Sequence, residues 1–346
     1  MATERKIIIA VDDSETSAYA FTWALHNLLR KSDKVVVLTV APFVTLDYTY
    51  TDIASDYGVT AMQSPRDAAA AEKNVNESAK DLIAKYLKLC TQSEISCEGE
   101  VVKGEAGSWI VDEAGRLNAE LVVVGSHAYG VLKRAVVGSK SDYVLHNATC
   151  SVAIVRHSEE ALKVHDPLVS SGGTRNIFIA VDESKESVYA FQWALENFCK
   201  EDDSVVIYHV HDSAIAPGST LGTGEFGMED VYIPADDSAK DEVSAFNDSE
   251  KLVEKYMEYA AKETKIKCKG MVVTGQTEVK VSEGLKNLHA DAVIIGTRDR
   301  GILARNFLGS VSDYLAHNSP CPLIVARMPK GSVTRGQNAE GHSHSP

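Results

Sequence analysis

Two stretches of this chain nearly coincide: GSHAYGVLKRAVVGSKSDY at residues 125–143 and GTRDRGILARNFLGSVSDY at residues 296–314. In each, a glycine (Gly125, Gly296) ends an apolar run, a second (Gly130, Gly301) follows five residues on, and a Gly-Ser pair (Gly138-Ser139, Gly309-Ser310) comes eight residues later. A glycine at a strand end leaves room for a ligand, and one in a loop permits a bend that other residues resist. The Gly-Ser pair opens a helical pattern. Free N–H groups at a helix start, a serine hydroxyl and the positive end of the helix dipole together seat a phosphate. Lys140 adds a cation to the first copy, where it would assist a polyphosphate. The carboxylate of Asp12, at the end of the first apolar run, has two uses: holding Mg²⁺ beside phosphates, or accepting a ribose hydroxyl. The chemistry on offer is binding of a small phosphorylated ligand. An enzyme would need a nucleophile, an acid/base pair or a metal site at the same place. His127 lies in the first loop, but its counterpart in the second copy is Arg298, so it reads as a solvent-facing histidine rather than a shared catalyst. A Walker-type GK[ST] run is absent, and slow ATP turnover is left open rather than indicated.

These residues need a scaffold, and the chain builds it twice. Residues 6–25, KIIIAVDDSETSAYAFTWAL, align without a gap to residues 176–195, NIFIAVDESKESVYAFQWAL, and most positions are identical. That is a tandem duplication. Within the first half, KIIIAVD, KVVVLTV, SCEGEVVKG, ELVVVGS and SVAIVRH alternate with the helical patterns SAYAFTWALHNLL, AAAAEKNVNESAKDLIAKYLKL, SWIVDEAGRL and the stretch after Gly138. Continuous apolar strands separated by helices predict an α/β fold whose parallel sheet is covered on both faces. The expectation is two tandem five-stranded parallel open sheets, order 3-2-1-4-5, each with four helices. Ligands of such sheets bind beyond the carboxyl ends of the strands where the order reverses, here between the first and fourth. Asp12, Val40 and Gly125 end the strands around that point, and the duplicated motif borders it. Ser14 and Ser184 stand at strand-to-helix junctions and are expected to cap the helices that follow. The last strands, SVAIVR and CPLIVAR, would be costly as bare apolar edges and are expected to pair, making the halves an intramolecular pseudo-dimer and leaving a further homo-oligomer open.

Composition sets the limits. A chain of 346 residues exceeds one compact domain, and the repeats place the domains at 1–157 and 176–328, with a linker at 158–175 and a tail at 329–346. The linker's SSGG precedes a strand instead of following one, so it is not a phosphate loop. The tail lacks apolar periodicity and is expected to be disordered; its His342 and His344 alone make a poor metal site. The segment 213–242 reads as an irregular, acidic, Gly-rich insert. A formal net charge of -14 and the lack of a concentrated basic patch exclude sequence-independent nucleic-acid binding. No apolar stretch is long enough to span a membrane, and MATERKIIIAVDDSE lacks a secretory h-region, so a cytoplasmic location is expected. The six cysteines show no zinc-like spacing and read as buried or free thiols.

The pattern G-x2-G-x9-G-[ST], preceded by A-V-D-x-S and followed by an apolar last strand, resembles the universal stress protein family, and the likeness covers almost the whole chain twice. The resemblance implies that family's Rossmann-like fold and a ligand such as ATP or another adenine nucleotide, since family members that bind nucleotide use this motif. It implies a stress-response sensor or regulator rather than an enzyme. On that resemblance Asp12 and Val40 face the adenosine, while Gly125, Ala128, Gly130, Gly138, Ser139, Lys140 and Ser141 border ribose and phosphates. Asp182, Val210, Gly296, Gly309, Ser310, Val311 and Ser312 hold the corresponding places in the second half. Both copies depart from the motif at its second glycine, which is Ala128 in the first and Asp299 in the second. Alanine costs about 1–2 kcal/mol only where a left-handed backbone is required. A carboxylate about 4 Å from a phosphate costs on the order of 4 kcal/mol at an effective dielectric near 20, although Arg298 and Arg300 flank it. Unequal sites are expected, the first half being the better. The alternative is that the fold survives as a non-nucleotide dimerisation and protein-interaction module, whose protein partner the sequence does not name.

Overall fold

The structure is a computed structural model that describes residues 4–43, 65–126, 138–156, 174–212, 237–297 and 308–329. The first half runs β1 (Lys6–Ala10), α1 (Glu15–Asn27), β2 (Lys34–Ala41), α2 (Pro65–Gln92), β3 (Ser96–Lys103), α3 (Ala106–Leu117), β4 (Leu121–Gly125), α4 (Ser139–Asn147) and β5 (Ser151–Val155). The second repeats it as β6 (Asn176–Ala180), α5 (Lys185–Asn197), β7 (Ser204–His211), α6 (Asp237–Glu263), β8 (Cys268–Thr274), α7 (Thr277–Asn287), β9 (Ala292–Gly296), α8 (Ser310–Asn318) and β10 (Leu323–Ala326). Both halves show the expected strand order, but the two five-stranded arrays are fused into one ten-stranded sheet, β3-β2-β1-β4-β5-β10-β9-β6-β7-β8. Every neighbouring pair is parallel except β5 and β10, which run antiparallel with Ile154 opposite Leu323 and Val152 opposite Val325. The last strands pair as their apolar character requires.

Alternation of side chains along each strand sends successive residues to opposite faces. Ile7 and Ile9 of β1 join the core under α1, α2, α5 and α6, and Ile8 between them joins the core under α3, α4, α7 and α8. Each core runs unbroken across both halves. On the first face Trp23 stacks on Phe198 with ring centroids 5.9 Å apart, which joins α1 to the end of α5. Long α2 is amphipathic, its Ile83, Tyr86 and Cys90 recurring at helical spacing on the buried side.

Arginines at duplicated positions fasten the halves together. Arg5 is held by Asp33 at 2.6 Å and donates through Nη1 to the Asn197 carbonyl at the end of α5. Arg175, held by Asp203, donates to the Asn27 carbonyl at the end of α1. On the other face Arg156 donates to the carbonyl of His317 in α8, and Arg327 to those of Leu145 and Ala148 at the end of α4. Cations at these carbonyl ends satisfy orphan acceptors and complement the helix dipoles. Burial pushes the Arg156 guanidinium down to about 10.

Two expectations need correction. Cys90 and Cys97 are not free thiols but a disulfide, with Cα atoms 6.1 Å apart. The chain reverses tightly between α2 and β3, with Glu94 in a left-handed conformation at φ 57° and the Ile95 amide donating to the Cys90 carbonyl. That reversal lays the end of the helix beside the start of the strand. Secondly, the insert expected to be irregular through residue 242 is helical from Asp237. The rest of it, the tail beyond residue 329 and the 157–173 part of the linker lie outside the described residues. Among the described residues no helix is long and apolar enough to cross a membrane.

A continuous sheet and shared cores predict that both halves unfold together. Arg5→Leu leaves the buried Asp33 carboxylate unpaired and is expected to cost about 3–5 kcal/mol. Urea denaturation followed by far-UV circular dichroism and by tryptophan fluorescence should give one coincident transition moved to lower urea. Two resolved transitions, only one of them displaced, would contradict the shared core.

Candidate functional site

The carboxyl ends of β1, β2 and β4 converge with the starts of α1, α3 and α4 around a cavity of about 170 Å³. Its lining includes Asp12, Val40, Gly125, Gly138, Ser139, Lys140 and Ser141, so the predicted first-half residues within the described set are brought together. The second half has a corresponding cavity of about 300 Å³ lined by Asp182, Val210, Gly296, Gly309, Ser310, Val311 and Ser312. Ala128 and Gly130 lie outside the described residues, as do His127, Arg298, Asp299 and Arg300.

Three helix N-termini open toward the first cavity, and their caps distinguish them. Ser14 caps α1 as expected, accepting from the Ser17 amide at 3.1 Å, and Asp12 Oδ1 in turn accepts from the Ser14 amide at 3.1 Å. Glu105 caps α3, accepting from the Gly107 and Ser108 amides at 3.1 and 2.8 Å. Those bonds, Ser108 first, hold its carboxyl below the usual carboxylate range, so the cap is anionic at neutral pH. Helix α4 is preceded at its cap position by Gly138, which has no side chain to offer, and no side-chain cap bond is made. The first two helices satisfy themselves; α4 keeps its orphan N–H groups for a ligand. In the second half Ser184 caps α5 in the same way, while neither Gln276 before α7 nor Gly309 before α8 makes a side-chain cap bond.

Gly125 and Ser141, with their counterparts Gly296 and Ser312, also have structural contacts that the sequence did not show. A Cβ on Gly125 would lie 2.8 Å from the Thr16 carbonyl oxygen, and one on Gly296 would lie 2.6 Å from that of Glu186. The glycines let the ends of β4 and β9 press against the first turns of α1 and α5. Close packing therefore requires glycine at both positions. Ser141 is buried, and its hydroxyl donates to the Gly125 carbonyl at 2.7 Å, so it ties α4 to β4 instead of offering a free hydroxyl. Ser312 makes the corresponding, longer bond to Gly296 at 3.4 Å. Ser139 and Lys140 are exposed at the helix start and remain placed for a ligand.

Sequence reading missed much of the apolar wall. Leu38 lies two residues before Val40 on the same face of β2, and Ala106 and Ile110 are spaced by four on α3. Both periodicities were available as signals. It also missed Asp212 and Glu278, which line the second cavity together with Asp182. No lysine or arginine is among the described residues lining that cavity, whereas Lys140 lines the first together with Asp12. Among the described lining residues the first cavity thus has one cation beside one carboxylate, and the second has three carboxylates. At the back of the second cavity Tyr208 donates to the Lys280 carbonyl at 3.0 Å, and burial pushes its phenol up to about 12.

The sequence matches the Universal stress protein family over residues 4–156 and again over 173–327. The chain belongs to the universal stress protein family. Among curated relatives it is similar to universal stress protein Rv2005c of Mycobacterium tuberculosis (strain ATCC 25618 / H37Rv), 26% identical over 330 residues, 93% of this chain and 96% of that one. It is also similar to universal stress protein PHOS34 of Arabidopsis thaliana, 29% identical over 191 residues, 51% of this chain and 71% of the relative. A solved universal stress protein from Archaeoglobus fulgidus DSM 4304 shares the fold over 94% of this chain and 99% of its own, with TM-score 0.62 at 17% identity. As a tandem universal stress protein, the chain carries the family fold in both of its halves.

Packing against α1 makes Gly125 a stability position. Gly125→Ala is expected to cost about 1–3 kcal/mol in ligand-free protein through overpacking, and Gly296→Ala at least as much. Urea midpoints check this. Unchanged stability in both variants would show that the glycines serve the ligand and not the fold.

Proposed function

We propose that the first half of this universal stress protein binds ATP or a related adenine nucleotide and holds it without consuming it, so that the protein acts as a sensor or regulator in a stress response. The observation that carries the reading is the uncapped start of α4, with Gly138, Ser139 and Lys140 at the rim of the cavity where the strand order reverses. Phosphates would take the orphan N–H groups of α4 and the Lys140 ammonium. The apolar wall of Leu38, Val40 and Ile110 suits a base, and Asp12 suits a ribose hydroxyl or a Mg²⁺ ion bound with the phosphates. No arrangement of nucleophile and base at this cavity supports a catalytic step among the described residues.

The second half is read as a weak or silent site. Its cavity is roomier, yet the carboxylates of Asp182, Asp212 and Glu278 lie along it without a lining cation among the described residues. A phosphate about 4 Å from one such carboxylate loses on the order of 4 kcal/mol before screening. That half then serves chiefly as the partner that completes the sheet. Association with another protein is a role the cavity leaves open to its outer surface.

Titration calorimetry with ATP tests the asymmetry. One site per chain is expected. Gly138→Asp, which puts a carboxylate at the phosphate seat, should remove most binding, and Gly309→Asp should change little. Lys140→Ala should weaken ATP more than AMP, by about 1 kcal/mol at low salt, a difference that shrinks as salt is added. Two equivalent sites, or equal losses from the two Gly→Asp changes, would overturn the reading.

A further inference from the structure

Helices α4 and α8 carry the same short run, SDYVLHN at 141–147 and SDYLAHN at 312–318, which sets an aspartate and a histidine four residues apart on one helical face. The antiparallel pairing of β5 with β10 brings these two faces together. Asp142 and His146 from the first half meet Asp313 and His317 from the second. None of the four belongs to either nucleotide-type cavity.

The detailed geometry suits metal ligands as well as ion pairs. His146 Nδ1 lies 2.9 Å from the Asp142 carbonyl oxygen, and His317 Nδ1 lies 2.9 Å from that of Asp313. Each Nδ1–H donates to its own helix, which leaves the Nε2 lone pair pointing across the seam; a histidine fixed in this way by a backbone carbonyl is set up to bind a metal. His146 Nε2 is 3.5 Å from Asp313 Oδ1, and His317 Nε2 is 3.7 Å from Asp142 Oδ1. A charge-assisted N–H···O bond would close to about 2.7–2.9 Å. Two ligands bound to one tetrahedral ion at about 2.0–2.1 Å each stand about 3.3 Å apart. The observed separations lie nearer the second arrangement. Ligand atoms of Asp142, His146 and Asp313 all fall within 4.8 Å of one another; His317 lies outside that group but reaches Asp142 Oδ1 at 3.7 Å. Asp142 Oδ1 is moreover shut off from solvent and has no hydrogen-bond partner. No lysine or arginine among the described residues forms an ion pair with either aspartate; their partners at the seam are the two histidines.

We propose that Asp142, His146 and Asp313, with His317 moving in as the fourth ligand, form a divalent transition-metal site, of Zn²⁺ type, that bridges the two halves of the chain. Two imidazoles and two carboxylates match the donor set of zinc and disfavour Ca²⁺ or Mg²⁺, which take oxygen ligands. Two carboxylates and two neutral imidazoles also balance the charge of the ion. All four side chains are partly exposed, which leaves the ion a route in from solvent. The ion would join α4 to α8 directly, where the fold otherwise joins them through β5, β10 and the arginine caps.

The full-length protein, stripped with EDTA and dialysed, is titrated with Zn²⁺ by calorimetry and with Co²⁺ while the visible ligand-field absorption is recorded. The unmodified protein is expected to bind Zn²⁺ and to melt at higher temperature as free Zn²⁺ rises. The double variant His146→Gln/His317→Gln is expected to lose one equivalent, or at least about tenfold in affinity, together with the Co²⁺ band and the rise in melting temperature. His342→Gln/His344→Gln, which alters only the tail histidines, should retain all three. Should the seam variant lose stability in metal-free urea, Asp313→Asn takes its place with the same loss expected. A seam variant that binds as the unmodified protein does, or an unmodified protein that binds no Zn²⁺ at micromolar free metal, overturns the proposal.

Discussion

The antiparallel pairing of β5 with β10 is the contact on which the rest of the molecule depends. A parallel sheet built by right-handed crossovers ends in an apolar strand that has no partner within its own repeat, and an exposed edge of that kind invites association. Duplication supplies the partner in the same chain. Pairing at that edge sets a pseudo-twofold relation, and the relation then places everything else: each core continues across the seam, and arginines from one half reach helix ends of the other. The same relation brings the α4 and α8 faces together. The two repeats read in sequence are joined in structure by one continuous sheet.

Within each half, the proposed function rests on what the helix starts leave unsatisfied. Three helices point their N-termini at the first cavity, and two of them spend their side chains on caps, Ser14 for α1 and Glu105 for α3. Gly138 leaves α4 open. The second half has diverged in the same vocabulary: Gln276 replaces the acidic cap, so another helix end is free, but Glu278 and Asp212 bring negative charge to the cavity. Hydrogen-bond capacity alone would favour the second half, and the proposed preference for the first rests on electrostatics. At cavity separations a single uncompensated carboxylate outweighs the typical gain of about 1 kcal/mol from one neutral hydrogen bond.

Much of this was legible in the chain. Continuous Val/Ile runs gave the strands, because a strand buried on both faces cannot alternate, and the glycine spacing located the cavity at the reversal of strand order. Ser14 and Ser184 were readable as caps because their type and position coincide. Other features depend on the third dimension. Gly125 looked like clearance for a ligand, yet its neighbour is the Thr16 carbonyl, a contact that only the helix approach reveals. Cys90 and Cys97 looked like separate thiols because nothing local announces that a helix end and a strand start lie side by side. The capping arginines gave no signal of their own beyond recurring as Arg5 with Arg175 and Arg156 with Arg327, since the groups they reach lie in the opposite repeat.

The central claim, that an open helix start and a local cation make the first half the anion site, is tested most directly at the backbone amides themselves. Isotope-labelled protein is titrated with ATP, and the amide resonances of both helix starts are followed. The account predicts saturable shifts at Ser139, Lys140 and Ser141, with those of Ser310, Val311 and Ser312 unmoved over the same range. Shifts confined to the second set, or equal in both, would contradict it.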